Sequence, residues 1–171
     1  MDARIDGNLG YWCHAAARAH PDKVAIIDLW GGIARDVTYR TLEQRLDRFA
    51  ALTGALGLAP GDRLAMAIGN RFEFVEVMYG AMRAGVVPVP LNTRQGADTL
   101  AYIVKDAGCV AAVVDPACNR DIVAVVDAIG PPHRLALAPA PAGWQDYETV
   151  LRAAPASFAP PPLAPDHPAF Q

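Results

Sequence analysis

The feature that most constrains this chain is a repeated exchange of short apolar runs with amphipathic stretches, joined by brief connections. Arg63–Ile68, Val86–Leu91, Cys109–Val114 and Arg134–Leu137 are the apolar runs. Between them, Asn70–Ala84, Ala97–Ala107 and Asn119–Ile129 repeat their apolar residues at helical spacing. Strands separated by one helix each are joined by crossovers rather than tight hairpins, and crossovers produce parallel strands. The expected fold is therefore α/β, a mostly parallel sheet with helices on both faces. Pro88 and Pro90 have no N–H to give a ladder, which assigns Val86–Leu91 to a short or edge strand.

The segments before this alternation differ from it. Val24–Asp28 and Ala34–Tyr39 flank Gly31-Gly32 and predict an N-terminal hairpin. Leu9–Ala19 is a helical patch, with Leu9, Trp12, Cys13 and Ala16 on one face. A longer helix is expected over Thr41–Leu56, where Leu42, Leu46, Phe49, Thr53 and Leu56 share a face and Gly57 stops it. Thr41 with Gln44 supplies its cap. Asn70 caps the next helix, with Glu73 as the reciprocal acid of a capping box. Phe72, Val75, Met78, Tyr79 and Met82 form the inner face of that helix. Leu100, Ile103, Val104 and Ala107 point inward from the third helix, and Asn119 caps the fourth.

Ten of the chain's 15 prolines lie from Pro131 onward. The expected organisation is an α/β subdomain over 1–138 and a proline-rich linker over 139–171, with one short helix at Trp144–Ala153. At 171 residues and 53% hydrophobic, the chain has enough apolar content for a true core. Its net charge of −3 excludes the basic stripe that nucleic-acid binding needs. Cys13, Cys109 and Cys118 fit neither a disulfide framework nor a zinc spacing, so a reduced, cytoplasmic setting is expected. No run approaches the ~18 apolar residues of a membrane helix. Asp2, Arg4, Asp6 and Arg18 break up the opening twenty residues, which argues against a secretory signal.

No nucleotide motif is complete: neither G-x-x-x-x-G-K-[ST] nor G-x-G-x-x-G occurs. Gly54, Gly57 and Gly61 end a helix and form a turn. His14, His20, His133 and His167 are scattered. Taken alone, these residues describe an α/β domain with no catalytic constellation.

Several short runs, in order, resemble the start of the adenylate-forming superfamily of acyl-CoA synthetases, peptide-synthetase adenylation domains and luciferases. They are His20-Pro21-Asp22-Lys23-Val24-Ala25, Val37-Thr38-Tyr39-Arg40-Thr41-Leu42, Leu58-Ala59-Pro60-Gly61-Asp62-Arg63-Leu64-Ala65 and Asn70-Arg71-Phe72-Glu73-Phe74. The most specific is Met82-Arg83-Ala84-Gly85-Val86-Val87-Pro88-Val89-Pro90-Leu91-Asn92. Leu100–Gly108, Tyr147–Leu151 and Pro165–Gln171 continue the pattern.

The resemblance implies the first subdomain of such a ligase's large domain, ending before the glycine-rich loop that grips ATP. The implied parent reaction joins a carboxylic acid to CoA, consuming ATP and releasing AMP and pyrophosphate. ATP, Mg and CoA are then the parent's cofactors, and none is expected to bind this chain tightly on its own. The alternatives are a domain that adenylates an amino or aryl acid for a carrier protein, and a stand-alone, non-catalytic binding or assembly module. The implied partners are the remainder of the large domain and the C-terminal domain, with self-association through exposed apolar surface also expected. No catalytic or metal-binding residue is assigned. The resemblance places Arg94 near the phosphates of CoA, with Asn92 beside it; the competing readings are a surface arginine and a turn residue bonding its own backbone. Phe74, Met78 and Tyr79 are read as core rather than as an acyl pocket.

Overall fold

A computed structural model describes residues 5–171; Asp2 and Arg4, two of the charges in the opening segment, lie outside them. Five parallel strands form one sheet in the order β4-β3-β5-β6-β7. They are β3 (Arg63–Ala67), β4 (Val87–Pro90), β5 (Ala111–Val114), β6 (His133–Ala136) and β7 (Gln145–Asp146). Ala65 lies opposite Val89 on one side and Ala112 on the other.

Alternation along β3 feeds two cores. Leu64, Met66 and Ile68 join Val113 and Leu135 beneath α2 (Tyr39–Ala55), α3 (Phe72–Arg83) and α6 (Tyr147–Ala153). Ala65 and Ala67 join Val89, Ala112 and Val114 beneath α4 (Ala97–Asp106) and α5 (Ile122–Ile129). A strand buried on both faces has no polar side, which is why these runs read as continuously apolar. Ile68, Val87, Val113 and Val114 are all buried, as the strand pattern requires.

From β3 the chain passes through α3 to β4 on one side. It then returns through α4 to β5 on the other side of β3. The direction of strand succession therefore reverses between β3 and β5, and that reversal opens a crevice at their carboxyl ends. The hairpin of β1 (Val24–Asp28) and β2 (Arg35–Thr38) is a separate antiparallel pair. Gly31 and Gly32, at φ 77° and 80°, turn it in the left-handed region where glycine has no Cβ penalty.

Five local expectations are corrected. Thr38, not Thr41, caps α2: its Oγ1 accepts from Thr41 N at 3.3 Å, and this bond needs no reciprocal acid. Asn70 does not cap α3, which starts after Arg71; Glu73 is drawn inward by two arginines instead. The buried face of α3 carries Glu73, Glu76, Val77, Gly80, Ala81 and Arg83 beside the expected Phe72 and Met82, while Val75, Met78 and Tyr79 are half-buried. Charged residues take that face because partners on α2 and the hairpin neutralise them. Near the N-terminus a 3₁₀ turn at Leu9–Tyr11 precedes α1 (His14–Ala19). That break rotates Gly10, Cys13 and Ala17 inward and leaves Leu9 and Trp12 exposed. Finally, Asn119 does not cap α5, which starts after Asp121, because its amide ties two loops together instead.

The proline-rich stretch also contributes to the sheet. Residues Gln145–Asp146 extend it as β7, and Tyr147 and Leu151 of α6 are fully buried beneath it.

Candidate functional site: the crevice at the carboxyl end of the sheet

A cleft of about 600 Å³ opens where the strand order reverses. Its walls are the loops after β3 (Gly69, Asn70), β4 (Asn92, Arg94) and β5 (Ala117, Cys118), with Trp30 reaching in from the hairpin turn. Gly69 permits that reach: a Cβ there would lie 2.7 Å from the Trp30 ring and 2.8 Å from Cys118 Sγ.

A chain of charges fixes the hairpin over this end of the sheet. Asp28 accepts from Trp30 N at 2.9 Å and from Phe72 N at 3.2 Å. Phe72 opens α3, so the carboxylate occupies the position where a helix N-terminus favours an anion. Arg35 Nη2 bonds Asp28 at 2.6 Å and Glu73 at 2.9 Å. Arg71 bonds Glu73 at 2.6 Å and Asp115 at 3.0 Å. Hairpin, α3 and the end of β5 are thereby joined through alternating signs. Burial pushes the Asp28 carboxyl upward, but the two amides and Arg35 outweigh it and hold the group below its ordinary value. Burial of Glu73 is likewise outweighed, there by Arg71, its backbone amide and Arg35.

The loops after β4 and β5 use their own polar groups. Asn92 Oδ1 accepts from Arg94 N at 3.0 Å, and Asn92 O accepts from Gln95 N at 2.9 Å. Asp115 Oδ1 accepts from Ala117 N at 3.0 Å, and Asp115 O accepts from Cys118 N at 3.0 Å. Asn119 Oδ1 accepts from Asp121 N at 2.8 Å, while its Nδ2 donates to Thr93 O at 2.9 Å. The Asn92 and Asp115 bonds are side-chain turns within one loop, whereas Asn119 also reaches across to the loop after β4. Among the described residues, no cluster of three or more His, Cys, Asp or Glu side chains is placed to hold a metal ion. Burial, reinforced by Asp115, pushes the Cys118 thiol up to about 11. It is neutral at pH 7 and unsuited to nucleophilic work.

Arg94 and Asn92 thus lie together at the cleft, but with different freedom. Asn92 is occupied by its own turn. Arg94 is exposed, and no ion pair engages its guanidinium among the described residues. Sequence reasoning missed Trp30, Gly69 and Cys118 as walls of the cleft. The Asp115-Pro116-Ala117 turn was visible as a strand end; the approach of the hairpin to Gly69 carried no local signal.

The model of the family described as AMP-binding enzyme matches residues 13–171, nearly the whole chain. The chain belongs to that family. It is 34% identical over 101 residues to a long-chain-fatty-acid–CoA ligase, FadD13, of Mycobacterium tuberculosis, an alignment covering 59% of this chain and 20% of that protein. The solved fatty acyl CoA synthetase of Mycobacterium tuberculosis superposes with TM-score 0.76 at 28% identity, covering 96% of this chain and 32% of the other. A benzoate CoA ligase from Burkholderia xenovorans LB400 shares the fold, with TM-score 0.83 at 24% identity over 95% of this chain and 32% of its own. The chain spans about a fifth of the length of the curated relative it matches. The α/β architecture and the motif order of this family member are those of the N-terminal domain of adenylate-forming CoA ligases.

Proposed function

We propose that this chain is the first subdomain of the large domain of an ATP-dependent acyl-CoA synthetase. In the whole enzyme, carboxylic acid, ATP and CoA give acyl-CoA, AMP and pyrophosphate. The partners in this reading are the rest of the large domain and the C-terminal domain, in a cytoplasmic protein. The chain by itself performs no adenylation. One observation supports this last point: the amides of Arg94, Ala117 and Asp121, in the loops at this end of the sheet, are already bonded to side chains of their own loops rather than held ready for transferring phosphoryl charge. No helix among the described residues is long and apolar enough to cross a membrane. Ile27, Leu29 and Ile33 of the hairpin and Trp12 near the N-terminus are exposed, in keeping with surface that further chain or a second copy covers.

Within this reading Arg94 attracts a CoA phosphate. A free guanidinium at the rim of the crevice suits that anion. Pyrophosphate exchange with a panel of carboxylic acids tests the reading. The 171-residue chain is expected to show no acid-dependent exchange, while a full-length ligase carrying it does. Exchange by the isolated chain would overturn the proposal.

A further inference from the structure

Glu76 lies at the junction of α2, α3 and α6 and is fully buried. Its Oε2 accepts from Arg45 Nη2 at 2.8 Å. Among the described residues its Oε1 has no hydrogen-bond partner; neither do the hydroxyl of Tyr147, which is fully buried, and Arg45 Nε. Arg45 is also shared, since Nη2 bonds Glu148 Oε1 at 2.5 Å. Two carboxylates therefore compete for one guanidinium. They are not equivalent. Glu148 is about one-third exposed and has Arg152 at 3.6 Å. Glu76 is fully buried and has no second cation among the described residues.

The groups that face Glu76 are few. Arg45 approaches from α2, Glu148 and Tyr147 approach from α6, and Glu73 lies one turn back on α3. From the sheet, β3 contributes Leu64 and Met66 to this core. With Glu76 and Glu148 both ionised, the junction carries one net negative charge in a place without solvent.

We propose that Glu76 is a proton-binding site, held as the neutral acid near neutral pH, and that its ionisation loosens α6. Proton uptake leaves one carboxylate for one guanidinium. It also removes the charge from a buried carboxylate whose second oxygen has no donor among the described residues. When the proton leaves to solvent, Glu76 draws on Arg45 more strongly, and Glu148, the ionic tether of α6, loses its share. Burial, with Glu148 and Glu73 adding to it, outweighs Arg45 and pushes the Glu76 carboxyl up to about 7.

The sign follows from linkage. An unfolded glutamate titrates near ~4.3. Between that value and the folded one, the native chain binds more protons. Stability contributed by the site is fully present at low pH and falls as pH rises toward 7. One proton changes the folding constant by at most about tenfold per pH unit.

The test is a carbon-13 titration of glutamate carboxyls in the 171-residue chain, with through-bond assignment of Glu76. It is joined by urea denaturation from pH 5 to pH 8 of the wild type, E76Q and E148Q. Glu76 is expected to titrate near neutrality. E148Q, which leaves Arg45 wholly to Glu76, is expected to move that midpoint down. The folding constant of the wild type is expected to fall relative to E76Q on the order of a hundredfold across this range. Amide exchange in residues 148–153, corrected for its intrinsic pH dependence, is expected to speed up in the wild type and not in E76Q. A Glu76 midpoint below pH 5, or parallel stability profiles for wild type and E76Q, would overturn the proton site. Unchanged protection of α6 would overturn the loosening. If E76Q does not fold, the wild-type titration and its shift in E148Q decide the matter.

Discussion

Arg83 and Arg94 flank the same edge strand and are placed in opposite ways. Arg83 is fully buried, and each of its three side-chain nitrogens donates. Nε bonds Gly10 O at 2.9 Å, Nη1 bonds Asp47 at 2.6 Å and Nη2 bonds Glu43, with the Tyr11 ring 4.3 Å from the guanidinium carbon. Arg94 is exposed, and its guanidinium has no ion pair among the described residues. The first holds the N-terminal turn, α2 and α3 to one another. The second is exposed at the mouth of the crevice. The difference teaches that arginine content says little here; what matters is which guanidinium the fold has already satisfied.

The sharpest way to break the comparison is Arg83→Met. Removing one member of a buried ionic cluster costs about 3–5 kcal/mol, because the partner charges stay behind unpaired. Glu43 and Asp47 keep some solvent access, so the lower end of that range is expected in urea denaturation. Arg83→Lys keeps the charge but not the fork and should lose less. Equal losses for Lys and Met would mean that the geometry, not the charge, holds the seam.

Gly10→Ala attacks the same seat from the other side. A Cβ at Gly10 would lie 2.5 Å from Arg83 N and 2.8 Å from Tyr79 O, both backbone atoms that cannot rotate away. Overpacking of this kind costs about 1–3 kcal/mol. The loss should appear as lower denaturation midpoints and as faster amide exchange confined to the N-terminal turn and the end of α3. Wild-type stability for this variant would show that the 3₁₀ turn is not docked on α3 as described.

Asp28→Asn probes a third arrangement, a carboxylate satisfied mainly by backbone amides. Its folded pKa is lowered, so its contribution is present above the unfolded value of ~3.9 and is lost as pH falls through the folded one. The variant should lose about 1–2 kcal/mol at pH 7 and flatten the acid limb of the stability profile. That slope is opposite in sign to the one expected from Glu76, so the two sites separate cleanly in one pH series. An unchanged acid limb in Asp28→Asn would remove the hairpin latch from the account.

These contrasts also explain what the sequence made legible. The strands of the sheet were readable because residues such as Leu64 and Ala65 face two different apolar cores, which leaves an unbroken hydrophobic run. The inner face of α3 was misread for the complementary reason. Periodicity counts Glu73, Glu76 and Arg83 as solvent-facing, and only the arrival of Arg35, Arg71, Arg45, Glu43 and Asp47 from distant segments makes their burial tolerable. Strand β7 is two polar residues held by register with β6, so it had no apolar signature to find. At the crevice, the Asn92–Arg94 loop was visible at a strand end, whereas Trp30 enters by tertiary packing over a glycine.

Arg94→Ala is the smallest perturbation and the one most informative about function. An exposed side chain with no ion pair should change stability by no more than about 0.5 kcal/mol. Its proposed role predicts an effect elsewhere. An exposed charge pair contributes ~0–1 kcal/mol, so weak attraction of CoA to the chain at low ionic strength should fall by no more than about fivefold. Added salt should erase the difference between variant and wild type, because charges in solvent are screened within about 10 Å at 0.1 M. Calorimetric titration of CoA at low and high salt reads both quantities. A variant that binds CoA as the wild type does would remove Arg94 from the phosphate site. A variant that loses more than about 1 kcal/mol of stability would show a structural role for the guanidinium, and the contrast with Arg83 would fail.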